Sequence, residues 1–216
     1  MPHGKANVYQ QNLTILDNLY RETSDVVINE VDQKLLFDNI PELTSEHHAL
    51  TQGLLNATPG CQRQRVSVAL ITWTDSAQSN ESQEHLAALE AKTTIGKVFL
   101  VHFEALRRYY RSYIQSQDRR LSRLRELSEL AGSKLWIDEC TAASADLTTH
   151  RLPDIFTSIA LRLMTYLMVL ESILKLTPST HADFDNLRTA YLQTKRAVAD
   201  LPNGHPVQSP PRRKVP

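Results

Sequence analysis

Residues 155–174 read IFTSIALRLMTYLMVLESIL, an uninterrupted run without glycine or proline. On a helix turning about 100° per residue, Ile155, Phe156, Ile159, Leu163, Tyr166, Leu167, Leu170 and Leu174 form one broad stripe, an ordinary core face. The opposite side carries Thr157, Leu161, Met164, Thr165, Met168 and Ser172, all uncharged. A surface helix would turn charge toward water there. Two readings account for the difference. Burial between neighbours on both sides is the expected one for an all-round apolar helix. The other is contact with a partner, for which soft Met and Leu beside short Thr and Ser are suited. A membrane span is excluded, because Arg162 and Glu171 would each cost about 2.5–3.5 kcal/mol near the bilayer centre.

Outward from this run the pattern stays helical. Pro153 stands where a first helical turn tolerates proline, and Thr177-Pro178 stops the helix. Only six glycines and few strand-like alternations occur in 216 residues, which predicts an all-α fold, an elongated bundle of about six long helices. The first helix is expected over 7–21 and a second over 31–55, kinked or broken at Pro41. A third runs over 85–130 with Gly96 as its weak point. Leu100, Phe103, Leu106, Tyr110, Tyr113 and Ile114 share its inner face. Trp136, Cys140 and Leu147 suggest a short helical piece, and a last helix covers 183–201 before Pro202, Asn203 and Gly204. The expected organisation is one helical domain over 1–202, with an irregular insertion over 57–90. A disordered, proline-rich basic tail, 203–216, then follows, itself a candidate ligand for a proline-recognising module.

Charge narrows the function. Lys+Arg and Asp+Glu are equal at 24 each, so no field favours nucleic acid or an anionic membrane. Arginines 107, 108, 111, 119, 120, 123 and 125 read as a basic docking patch or as a solvated face paired with Glu104, Asp118, Glu126 and Glu129, and the solvated face is the expected reading. Cys61 and Cys140 lack CxxC spacing, and the opening MPHGKANVYQQ has no apolar run of the secretory kind. Both point to a cytoplasmic chain with reduced thiols. His47-His48 lacks metal-ligand spacing, and neither a glycine-rich phosphate loop nor a hydrolase nucleophile motif occurs.

Four segments, in order, resemble the Dbl-homology domain of Rho-family exchange factors. Leu36-Phe37-Asp38-Asn39-Ile40 with Glu42-Leu43 is similar to the family's LFxNIxxI run. Ile95-Gly96-Lys97-Val98-Phe99 followed by Tyr110, Tyr113, Gln117 and Leu121 resembles IGxxF and YxxYxxxQxxxL. Residues 152–178, LPDIFTSIALRLMTYLMVLESILKLTP, resemble the signature helix LxSFLIKPVQRxxRYPLLLxxLLKxTP. His181, Asp183, Phe184 and Leu187 resemble HPDYxxL. Similarity covers about residues 7–202 and is strongest at positions that pack a bundle. The signature's KPxQR reads Ser158-Ile159-Ala160-Leu161-Arg162, so only the arginine is kept, and the basic residue before Tyr-Pro becomes Thr165. If Tyr9 is the tyrosine of the family's first helix, the turn before it is Gly4-Lys5-Ala6, without the family's glutamate.

The resemblance implies non-covalent exchange. A factor of this kind binds the nucleotide-free Rho, Rac or Cdc42-type GTPase more tightly than the loaded one, and disturbs its switch loops and magnesium site. It implies no cofactor for the factor itself. The implied contact surface takes Ala6, Tyr9 and Gln10 from the first helix. The signature helix adds Ser158, Leu161, Arg162, Met164, Thr165 and Met168, and the end of the last helix Asp200 and Asn203. With the charged positions replaced, a scaffold that binds a GTPase or another protein without exchange is the alternative. Recruitment to the cell cortex by other regions or partners fits either reading.

Overall fold

The computed structural model describes residues 8–58, 92–148 and 150–201. Ala6, Asn203, the tail from 203 and nearly all of the segment expected to be irregular lie outside the described residues. Within them the chain is helical, with no strand. Helix α1 (Val8–Ile15) continues as a π-helical stretch, Leu16–Arg21. Then come α2 (Glu30–Phe37), α3 (Ile40–Ala57), α4 (Ile95–Gln115), α5 (Gln117–Ser128), α6 (Ala131–Ala143), α7 (Leu152–Ala160), α8 (Arg162–Leu176) and α9 (Phe184–Ala199).

Three of the expected helices are divided, the second near its expected break and two others that the sequence reads as continuous. The second breaks at Asp38–Asn39, where Asn39 takes a left-handed φ of 63°, and Pro41 then sits in the first turn of α3. Asparagine tolerates this conformation, and its amide also donates to Ser112 Oγ at 3.0 Å. The third breaks at Ser116, between α4 and α5. The signature helix breaks at Leu161, whose N–H turns back to the Thr157 carbonyl.

One core runs through the bundle. Phe99, Phe103, Leu106, Tyr110 and Tyr113 of α4 meet Leu187, Ala190 and Ala197 of α9, with Leu163, Tyr166 and Leu170 of α8 alongside. Ile155, Phe156 and Ile159 extend it into α7. Small residues bring α4 and α9 close. A Cβ on Gly96 would stand 2.4 Å from the Leu187 amide nitrogen. Asp183 completes this joint, since its carboxylate accepts the Gly96 N–H at 2.5 Å and the Lys97 N–H at 3.1 Å, satisfying donors that a helix start leaves open. The expected weak point at Gly96 is therefore a tight contact at the start of α4.

Two further expectations are corrected. Arg120 is not on a solvated face but fully buried, stacked 3.8 Å over the Tyr113 ring. It donates to the carbonyls of Leu36 and Tyr113, so it ties α2, α4 and α5 together where helix ends would leave acceptors unmet. Arg107 and Arg123 do pair as expected, with Glu104 and Glu126, and Arg123 also reaches Asp32. Leu147 lies outside α6 and is exposed.

Candidate functional site

The second face of the signature helix is open. Leu161 is 39% and Met168 67% exposed, Thr157 and Ser172 are exposed, and Met164 and Thr165 are half-buried. Burial on both sides, the expected reading, is thereby overturned. The inner stripe packs on α1, α4 and α5 along α7 and on α9 along α8, while Thr157, Leu161, Met168 and Ser172 stay exposed. The result is an uncharged strip along α7 and α8, with its hydroxyls turned inward on the helix itself: Thr157 Oγ1 donates to Pro153 O, Thr165 Oγ1 to Leu161 O and Ser172 Oγ to Met168 O.

The structure brings α1 against this strip. The Arg162 guanidinium lies 4.4 Å from the Tyr9 ring centroid and 4.9 Å from that of Tyr166. Burial opposes its charge, but Tyr166, Tyr110 and Tyr9 together more than offset this, so the group stays charged. Its Nε is buried without a hydrogen-bond partner, as is the Oε1 of Gln10, the residue after Tyr9 on α1. Ser158 is half-buried and meets α1 through Asn12, whose Nδ2 donates to Ser158 Oγ at 3.5 Å. Asn12 Oδ1 in turn accepts from Thr148 Oγ1. Asp200, exposed at the end of α9, borders a small cleft with Arg107, Arg111, Leu163, Ala197 and Leu201, beside the first turn of α8. Of the residues singled out in sequence, the structure brings Tyr9 against Arg162 and Ser158 against α1. Leu161, Met164, Thr165 and Met168 follow along the same helices, while Asp200 borders Leu163 from α9.

Beneath the strip lies a polar chain that sequence reasoning missed. Tyr9 and Tyr110 share a hydroxyl–hydroxyl bond of 2.6 Å, Tyr110 Oη meets His47 Nε2 at 2.5 Å, and Tyr166 Oη meets His47 Nδ1 at 2.8 Å. The imidazole stacks on Tyr166 and stands edge-on to Tyr9 and Tyr110. Burial, with Arg162 and His102 nearby, pushes the His47 pKa down to about 3, so the ring is neutral. Burial likewise raises Tyr9, Tyr110 and Tyr166, and all three hydroxyls keep their protons. The available signal was spacing: Tyr110 was assigned to the inner face of its helix, and His47 stands on the same face as Leu43 and Leu50.

The geometry is that of a helical bundle whose open, uncharged helix strip runs beside its first helix. The chain belongs to the RhoGEF domain family, whose model matches residues 7–201. It is 29% identical over 145 residues to Rac guanine nucleotide exchange factor B of Dictyostelium discoideum; the match takes in 63% of this chain and 12% of that protein. This chain thus spans a small part of the curated relative's length. Among solved structures it is similar in fold to the DH domain of FARP2 (TM-score 0.66, 16% identity, 88% of this chain and 80% of that one). It is also similar to the Vav1 exchange factor (TM-score 0.66, 18% identity, 88% and 43%). The PDZ-RhoGEF DH/PH domains in complex with activated RhoA give a TM-score of 0.63 at 18% identity, with 88% and 47% covered.

Proposed function

We propose that this domain accelerates GDP release from a Rho-family GTPase by binding the nucleotide-free form more tightly than the loaded one. The reading rests on one observation above the others. In a domain of the RhoGEF family, the strip Leu161–Met164–Thr165–Met168 is open to a partner while Arg162 beneath it is stacked on Tyr9 of α1. Relatives named for Rac exchange and for a RhoA complex support a Rho-type partner. The contact surface we assign is Tyr9, Gln10, Ser158, Leu161, Arg162, Met164, Thr165, Met168 and Asp200, and the family resemblance adds Ala6 and Asn203. Because the strip is uncharged, it holds the switch loops through apolar packing and its few polar groups. A proline-recognising module on the run SPPRRKVP, and recruitment to the cell cortex through such partners, fit the same role.

The test is release of fluorescent GDP from Rho, Rac and Cdc42-type GTPases. Acceleration of at least one is expected, together with its loss in a Met164→Asp/Thr165→Asp double variant that stays folded. The replacement of the family's basic residues by Ser158 and Thr165 favours a second reading, a scaffold that binds without exchange. Binding to a nucleotide-free GTPase with no acceleration of any of the three would select it.

A further inference from the structure

We infer that His47 is a positioning residue: from beneath the contact surface it sets how α1 and α8 stand to one another. The inference rests on the exchange reading above for its functional consequence. The proposed surface is drawn from two elements remote in sequence, with Tyr9 and Gln10 on α1 and Arg162 to Met168 on α8. A GTPase bridging them needs their separation fixed, since a misplacement near 1 Å is enough to degrade such a constellation. Close-packed apolar side chains resist changes of volume but do not select one pairing of groups; hydrogen bonds, being directional, do.

His47 supplies the direction. It is 2% exposed, lies on α3, and uses both ring nitrogens. One nitrogen meets Tyr110, which carries the connection to Tyr9 of α1, and the other meets Tyr166 of α8. A neutral imidazole has one N–H and one bare nitrogen, so it donates on one side and accepts on the other. Every link of the chain Tyr9–Tyr110–His47–Tyr166 is buried, so no member shifts without breaking a buried bond. Arg162 closes the arrangement from the surface side, stacked on the two terminal tyrosines. Leucine would fill the space of His47 and join neither helix.

Two variants and two readouts test this. His47→Leu removes both bonds. Tyr110→Phe deletes a single hydroxyl and keeps the ring, so it decides the matter if His47→Leu does not fold. Spin labels at Val8→Cys and Ser172→Cys, both exposed and outside the contact surface, report the α1–α8 separation in a Cys61→Ser background; Cys140 is buried. The expected result is a narrow distance distribution in the otherwise wild-type chain and a broadened or shifted one in both variants. The variants without labels are expected to release GDP slower by roughly tenfold or more per folded molecule. Asn and Gln at position 47 each preserve one of the two bonds and are expected to give intermediate rates. An unchanged distribution in both variants overturns the inference, and so does a broadened one with undiminished exchange. A wild-type chain inert toward all three GTPases overturns the exchange reading instead, and the label distances still decide the placement role.

Discussion

A histidine enclosed by three phenols and a guanidinium has little freedom to accept a proton. In the unfolded chain His47 titrates near its ordinary value of about 6.5, whereas in the bundle burial, Arg162 and His102 push it down to about 3. Between those values the unfolded state binds one more proton than the native state. Stability contributed at this position is therefore complete above the unfolded pKa and is lost as pH falls through the window from 6.5 toward 3. The limiting slope is about 1.4 kcal/mol per pH unit. Urea unfolding of the wild type at pH 4.5 and 6.5, against His47→Leu, is expected to show a steeper loss in the wild type; equal slopes would mean that the native ring titrates normally. At this scale the sequence was partly legible. Tyr9 and Arg162 were found through their positions in family motifs, whereas the uncharged strip was noticed but expected to be buried. His47 was read as one of a His-His pair without metal spacing, because its role depends on Tyr110 and Tyr166, 63 and 119 residues away. Arg120 was misread for the same reason: its acceptors include the Leu36 carbonyl, and a main-chain acceptor leaves no mark in a sequence.

At the scale of elements, helical identity was legible and helix continuity was not. The break before α3 had a proline to announce it, although the turn itself falls on Asp38 and Asn39. Those at Ser116 and Leu161 have neither glycine nor proline to announce them. Gly96 is the clearest case of tertiary context overriding local propensity. Alanine is the better helix former by about 1 kcal/mol, yet here its Cβ would meet the backbone of Asn186 and Leu187. Gly96→Ala is expected to destabilise by about 2–3 kcal/mol through overpacking of the α4–α9 joint. Gly132→Ala is the matched control. That site on α6 is exposed and has open space around it, so a gain of roughly 0.5 kcal/mol is expected. Paired denaturant titrations check both signs, and a stabilising Gly96→Ala would show that the two helices separate freely.

Over the whole molecule, the buried side chains join into one cluster from Leu13 and Tyr20, through α4 and α7, to Leu187 and Ala197. Its two ends differ in job. The Tyr9–His47–Tyr166 end underlies the proposed contact surface. The other gathers α2, α5, α6 and the π-helical stretch, joined by Trp136 Nε1 donating to Thr23 and by Arg123 on Asp32. Arg120 sits between them, with Tyr113 and Phe156 against its guanidinium. Replacing it with methionine preserves much of the stem but leaves the Leu36 and Tyr113 carbonyls without this donor, which is expected to cost about 3 kcal/mol or more. With a single core, that loss is shared by both ends. Far-UV and near-UV circular dichroism of Arg120→Met are then expected to follow one coincident urea transition, shifted to lower urea with unchanged slope. GDP release per folded molecule is expected to match the wild type, because Arg120 touches neither the strip nor the chain beneath it. Two separated transitions would instead mean that the α2–α5–α6 end folds as a unit of its own. The contact surface would then be anchored to α3, α4 and α9 alone.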